Sequence, residues 1–338
     1  MFGVTTPEMV AAATKAGCLG SLPLGDLPAE KCVKVIHSTK QLTSQPFAVN
    51  LFANDVPEPT EALKTTYSRS KQFIEHLAIQ HGLQVVLPSF DELKFPSYHE
   101  QVDTILEENI QIVSFTFGNL DQRTIQRLKN NGITLIGTCT SVAEAKALEV
   151  SGIDLLCVQG LEAGGHRGSF TTEEIPQIGG LSLLAQVSEA VRLPLIYAGG
   201  IYNAKTLLAA RTLGAQGFQV GSLLLGSKES ALQTFEKERL RKVREDEIVL
   251  TRSFSGRYAR GIKNAFIEAV EHTEFILPYP YQNKLTGELR KVAKAAQNTD
   301  FVSIWLGQSI NGFSDSSTID ILKELITQIN NTNFSYTP

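Results

Sequence analysis

The sequence predicts an α/β fold: a (β/α)8 barrel whose first strand is largely missing. Three observations carry that prediction. Short β-rich runs alternate with helical stretches over most of the 338 residues, the signature of parallel βαβ units. Seven such runs are counted, one short of the eight that close a barrel. Glycines follow the last two runs, in Ala198-Gly199-Gly200 and Val220-Gly221-Ser222, where barrels of this class build a phosphate site. An open, doubly wound sheet also accommodates seven strands. However, the GxGxxG fingerprint after the first strand is absent, and the late glycines decide for the barrel.

The elements follow in order. A helix over 7–16 has Thr6 as N-cap, Pro7 in its first turn and Gly17 as its stop. A strand over 19–22, a helix over 28–42 and a strand over 47–52 come next. Residues 54–100 form a polar, proline-punctuated excursion with its own helix around 61–81. A helix over 101–108 leads to a strand over 112–117. Helices over 121–130 and 142–150, stopped by Gly132 and Gly152, alternate with strands over 133–137 and 155–159. Then come a helix over 181–191, a strand over 195–198, a helix over 204–212, a strand over 217–220 and a helix over 230–243. Regularity is lost after Val243, until apolar residues on one broad face (Ile319, Ile321, Leu322, Leu325, Ile326, Ile329) mark a final helix over 316–329. Asn330–Pro338 is polar and expected to fray.

Composition excludes several classes of function. Apolar residues make up 42% and charged residues 20%, as in an ordinary globular chain. The net charge is −4, and no basic run exceeds the mixed-sign segment 236–244, which argues against nucleic acid as a partner. No apolar run approaches the roughly 20 residues that span a bilayer, and the first residues lack a signal-peptide pattern, so a cytoplasmic protein is expected. Cys18, Cys32, Cys139 and Cys157 are far apart, with no CxxC and no Cys/His cluster of ligand spacing. Reduced, mostly buried thiols and no bound metal are expected.

The sharpest segment is Gln159-Gly-Leu-Glu-Ala-Gly-Gly-His-Arg-Gly168, at the carboxyl end of a strand. Four glycines in ten residues make a loop that can close around a ligand. His166 within it is the one group whose charge changes near neutral pH, as a base for proton abstraction requires. Arg167 either attracts an anionic substrate or lies solvated on the surface. Gln159 suits a flavin edge or its own backbone, and Asn50, interrupting an apolar strand, needs partners from a ligand or from the fold. Phe115 and Phe117 either wall a planar cofactor or pack in the core.

Together these residues resemble nitronate monooxygenases. The resemblance is carried by Gly3-Val-Thr-Thr-Pro-Glu8, Ala16-Gly-Cys-Leu-Gly-Ser-Leu22, Val113-Ser-Phe-Thr-Phe-Gly118, the 159–168 loop, Ala198-Gly-Gly-Ile201, Gln219-Val-Gly-Ser222, the 255–264 segment and Trp305-Leu-Gly-Gln308. The 159–168 loop alone is shared with flavin-dependent enoyl-acyl-carrier-protein reductases.

The resemblance implies a barrel over 1–226, a smaller α-rich domain inserted after strand 8 over 227–300, and a segment over 301–338 whose helix returns to the barrel. It implies FMN contacts at Asn50, Gln159, Gly164, Gly165, Gly199, Gly200, Gln219, Val220, Gly221 and Ser222, with His166 as the active-site histidine. It also implies oxidation of alkyl nitronates, or nitroalkanes, by O2 to carbonyl compounds and nitrite. In that reaction a protonated His166 favours the anion, and a neutral one removes the α-proton. Two alternatives are an FMN-dependent NAD(P)H reductase of enoyl thioesters or quinones, and an inactive, truncated relative. Met1 falls on the methionine that ends the family's first strand. Either the chain start is misassigned or truncated, or the barrel is incomplete, which would leave two unpaired edges and an exposed core.

Overall fold

The computed structural model describes residues 1–172, 174–310 and 313–331. Its elements are α1 (Pro7–Lys15), β1 (Ser21–Gly25), α2 (Ala29–Leu42), β2 (Ala48–Phe52), α3 (Glu61–Gln80), α4 (Tyr98–Glu107), β3 (Ile112–Thr116), α5 (Gln122–Asn130), β4 (Thr134–Cys139), α6 (Val142–Ser151), β5 (Leu155–Gln159), β6 (Gly165–His166), α7 (Gly180–Ala190), β7 (Leu195–Ala198), α8 (Ala204–Thr212) and β8 (Gly217–Gln219). They continue as α9 (Thr234–Arg241), β9 (Ile248–Thr251), β10 (Ala259–Ile262), α10 (Ala265–Val270), α11 (Tyr281–Leu285), α12 (Gly287–Ala295) and α13 (Thr318–Asn331). Asn330 and Asn331, expected to fray, close α13. The rest of that tail, 332–338, lies outside the described residues.

Local chemistry sets the helix ends. Thr6, Asp121, Ser141 and Asn203 each accept a hydrogen bond from a backbone N–H of the first turn of α1, α5, α6 and α8. Gly152 closes α6 in the left-handed region at φ +89°.

Seven strands form one parallel sheet in the order β1-β2-β3-β4-β5-β7-β8. The helix-facing side chains (Val49, Leu51, Val113, Phe115, Leu135, Leu156, Val158, Leu195, Tyr197) are sealed. The alternate, inward set is only half-buried at Asn50, Ser114, Thr138, Gln159 and Ile196. Register places Asn50 beside Ser114, and Gln159 beside Ala198, which in turn pairs with Gln219. The polar strand ends therefore form one rim.

β1 and β8 end the sheet and do not pair with each other among the described residues. The helical layer is nevertheless continuous there. α13 packs against both α1 and α8, and Met9, Ala13, Leu224, Ile321 and Leu322 form a sealed cluster between them. The expected exposure of the core is not seen at the β1 edge, where Leu22 and Leu24 are buried.

A second hydrophobic core joins α3, Phe254, Phe266, Leu277, Leu285, Leu289, Phe301 and Leu306. Its small sheet, β6-β10-β9, is antiparallel and pairs His166 with Ala259 and Gly165 with Arg260. That pairing ties the β5 loop to the 248–262 hairpin.

Candidate active site

Gln159 organises the loop that carries His166. Its Nε2 donates to the His166 carbonyl at 2.9 Å, and its Oε1 accepts from Gly168 N–H at 2.8 Å. Both ends of the amide therefore serve the loop backbone, leaving one N–H and one lone pair for a ligand. Arg167 is neither a solvated residue nor an anion trap. It is buried, and its guanidinium donates to the carbonyls of Gly160 and Gln159. Glu162 is equally occupied, accepting from Tyr197 Oη at 2.6 Å and Gly180 N–H at 3.0 Å.

The His166 ring lies among three aromatic side chains: Phe117 at 5.6 Å, Trp305 at 5.5 Å and Tyr279 at 6.4 Å between centroids. Its Nε2 is 2.8 Å from Ser255 Oγ. Burial, followed by the charges of Arg257 and Arg290, pulls its pKa down to about 3. Burial thus favours the neutral imidazole, which of the two expected states of His166 is the one able to remove an α-proton.

The positive charge lies instead on Arg257 and Arg290. Among the described residues, neither is paired with a carboxylate. Arg257 donates to the carbonyls of Arg167 and Ser169, and Arg290 to Asn283 and Thr286. Burial lowers the pKa of both to about 10, which leaves them charged at neutral pH.

The two phenylalanines of 113–118 divide their tasks. Phe115 is sealed in the barrel core, while Phe117 reaches the site. The tyrosines divide likewise: Tyr279 faces Phe117, whereas Tyr281 packs on Phe90 and Phe95 and donates to Pro57 O.

Asn50 donates through Nδ2 to Ser114 Oγ at 2.9 Å, and its Oδ1 has no partner among the described residues. The segment 305–309 stitches the loops after β5, β7 and β8 together. Gln308 N–H donates to Glu162 O, Ser309 Oγ to Gly200 O, and Gly307 N–H to Ser222 Oγ. Gly164 is glycine because a Cβ there would overlap the Leu306–Gly307 backbone. Gly165, Gly199 and Gly200 have positive φ. Among the described residues, the N–H groups of Gly199, Gly200, Gly221 and Ser222 meet no protein acceptor. Such a concavity of free amides fits a phosphate. Gln219 is exposed and accepts a weak hydrogen bond from Cys157 Sγ at 3.7 Å. No group of three or more metal-ligating side chains occurs among the described residues.

The family profile of nitronate monooxygenase matches residues 1–331. The chain belongs to the nitronate monooxygenase family. Within it, a probable nitronate monooxygenase of Staphylococcus aureus is 36% identical over 98% of this chain and 92% of its own length. One from Staphylococcus saprophyticus is 35% identical over 98% and 93%. The fold matches a nitroalkane oxidase from Streptomyces ansochromogenes with a TM-score of 0.86, at 32% identity over 97% of this chain and 93% of the other. FabK from Thermotoga maritima matches with a TM-score of 0.75, at 25% identity over 98% and 90%. As a member of the nitronate monooxygenase family, the chain is a flavin-dependent oxidoreductase enzyme.

Ser255, Arg257 and Arg290 are the site residues that the sequence did not assign. The first two sit in a segment quoted only for its resemblance. The available signal for the first two is the basic, glycine-dotted character of the 252–264 stretch; Arg290 lies outside it, on α12.

Proposed function

We propose that this enzyme oxidises alkyl nitronates, and the neutral nitroalkanes that give rise to them, with O2 to carbonyl compounds and nitrite, using FMN. The observation that carries the reading is a buried His166 under the charges of Arg257 and Arg290, two guanidinium groups that form no ion pair with a carboxylate among the described residues. A small anion is attracted by Arg257 and Arg290, and a neutral acid of similar shape can lose its α-proton to His166. Phe117, Tyr279 and Trp305 keep that exchange away from bulk water.

The residues present fit FMN. The free amides of Gly199, Gly200, Gly221 and Ser222 would hold its phosphate, and Asn50, Gln159 and Gln219 offer polar groups along the barrel rim. Bound there, FMN supplies the redox chemistry with O2, and the protein supplies position and charge.

The test is an absorbance spectrum of the purified protein followed by aerobic turnover of ethyl nitronate and nitroethane, scored as nitrite. Bound flavin with nitrite release is expected. His166→Ala should keep the flavin and lose roughly 10²-fold or more of nitroethane turnover. Undiminished turnover in that variant would remove His166 from the mechanism. Flavin bleaching by NAD(P)H without nitrite release would make the protein a reductase.

A further inference from the structure

Ser255 carries one hydroxyl proton and faces three polar groups, and the accounting of that proton decides which nitrogen of His166 is basic. Ser255 Oγ lies 3.0 Å from the Arg257 carbonyl, 3.3 Å from Arg257 N–H and 2.8 Å from His166 Nε2. The Arg257 carbonyl has no other donor among the described residues. Ser255 is 1% exposed, so a carbonyl deprived of its hydroxyl there costs a buried hydrogen bond. With the proton committed to that carbonyl, the hydroxyl oxygen can only accept from the imidazole.

We propose that Ser255 is a positioning residue that fixes His166 as the Nε2–H tautomer and leaves Nδ1 unprotonated, as the atom that takes the substrate's α-proton. This rests on the reading of His166 as the base. In the step, the C–H bond of a nitroalkane breaks, its proton goes to Nδ1, and its electron pair stays on the substrate to form the nitronate. Nδ1 has no hydrogen-bond partner among the described residues.

The surrounding fold holds Ser255 in place from several sides. Glu271 accepts from Thr251 Oγ1, from Ser253 Oγ at 2.6 Å and from Arg252 N–H at 3.1 Å. Gln282 Nε2 donates to Ser253 O at 2.7 Å, and Thr286 Oγ1 donates to Phe254 O at 2.5 Å. Gly256, at φ +79°, packs where a Cβ would overlap the Leu277 carbonyl. On the other side, β6 is paired to β10, so both partners of the His166–Ser255 contact are fixed through backbone.

The division of work that follows is specific. An imidazole whose Nδ1 is bare cannot donate a hydrogen bond to a nitronate oxygen. The anion then depends on Arg257 and Arg290, and only the neutral nitroalkane depends on the tautomer.

The experiment is 15N NMR of the flavin-loaded protein labelled at histidine, with His166 assigned by its loss in His166→Gln. The expected spectrum shows a pyridine-type Nδ1 and a pyrrole-type Nε2 for His166. Ser255→Ala should mix or invert the pair, and Ser255→Thr should restore it. In turnover, Ser255→Ala should lower kcat on nitroethane about tenfold more than kcat on ethyl nitronate. A pyrrole-type Nδ1 in the parent protein overturns the proposal, as does a tautomer unchanged in Ser255→Ala. The parent spectrum decides the matter even if that variant fails to fold. It is read without turnover, so its failure is separate from a failure of the nitronate assignment.

Discussion

The Arg257 guanidinium lies over the face of Phe117, 4.4 Å from the ring centroid. Phe117 reaches that position with φ at +74°, a backbone conformation that costs a residue with a Cβ about 1–2 kcal/mol. The next residue explains the detour: a Cβ at Gly118 would overlap the Ala53 carbonyl, so the chain turns tightly over the end of β2. Strain at this point is compensated by a ring that touches Arg257, Phe52, Tyr279 and His166 at once.

Two truncations of Phe117 separate its backbone from its ring. Both Phe117→Ala and Phe117→Gly lose the wall beside His166, and KM for ethyl nitronate should rise several-fold in each. Glycine adopts positive φ freely, so Phe117→Gly should be as stable as Phe117→Ala or more so, by up to about 1 kcal/mol, the reverse of the usual order. Denaturant midpoints check this. A glycine variant clearly weaker than the alanine variant would mean that the strain is absent.

Arg257 acts on His166 as well as on Phe117, since its charge is among the causes holding the imidazole neutral. Arg257→Leu should therefore raise the His166 pKa. It should also weaken capture of an anionic substrate, raising KM for ethyl nitronate about tenfold with less effect on nitroethane. Equal losses on both substrates would show that Arg257 serves the fold and not the charge of the ligand.

The low pKa of His166 has a pH signature in stability. Between its ordinary value of 6.5 and about 3, the unfolded chain binds a proton that the native protein refuses. Stability should therefore fall as pH drops through that window, and His166→Gln should flatten this part of the curve. For the same reason, nitroethane turnover should show no histidine inflection between pH 5 and 8. Urea titrations across pH 4–7 and a pH–rate profile measure the two effects. An inflection near 6.5 that vanishes in His166→Gln would contradict both.

The sequence made the barrel legible because its signals are local. Thr6 reads as a cap and acts as one, whereas the caps at Asp121 and Ser141 emerge only in the structure. The strands over 155–159 and 195–198 and the helix over 204–212 stand where the periodicity placed them. The site was legible as far as His166 and Gln159, because a glycine loop at a strand end is also a local pattern. Ser255 and Arg257 were not, since they approach His166 beside the pairing of β6 with β10, across some ninety residues, and Arg290 comes from α12, farther along the chain still. That register depends on tertiary packing, and the two-residue β6 leaves no periodicity to read. Arg167 misled for a related reason: only the fold shows that the carbonyls of Gln159 and Gly160 enclose its guanidinium.

Gln159 offers a test of loop order against cofactor contact. Gln159→Leu has a similar shape but orphans the His166 carbonyl and the Gly168 N–H, at about 1–3 kcal/mol for each buried group. The variant should lose stability by a few kcal/mol, measured in the flavin-free protein, and kcat should fall with it as His166 loses its support. If flavin-free stability is unchanged while flavin is lost, the amide serves the cofactor and not the loop.

The free amides after β7 and β8 predict how the protein responds to phosphate. Gly199 at φ +127° and Gly200 at +68° hold their N–H groups in a conformation that side-chain-bearing residues rarely adopt. A Cβ at Gly199 would also press on Ala163 at 3.3–3.4 Å, so Gly199→Ala must move the loop that carries those donors. A ligand bound only by the native state stabilises it by about 2.7 kcal/mol at a hundredfold excess over its Kd. Added FMN should therefore raise the Tm of flavin-free parent protein, and riboflavin, which lacks the phosphate, should do so much less. In Gly199→Ala the advantage of FMN over riboflavin should shrink or vanish while the Tm without ligand falls only modestly. If FMN and riboflavin stabilise the parent equally, these amides do not bind the phosphate, and the fourfold set of unpaired donors at 199, 200, 221 and 222 needs another anion to explain it.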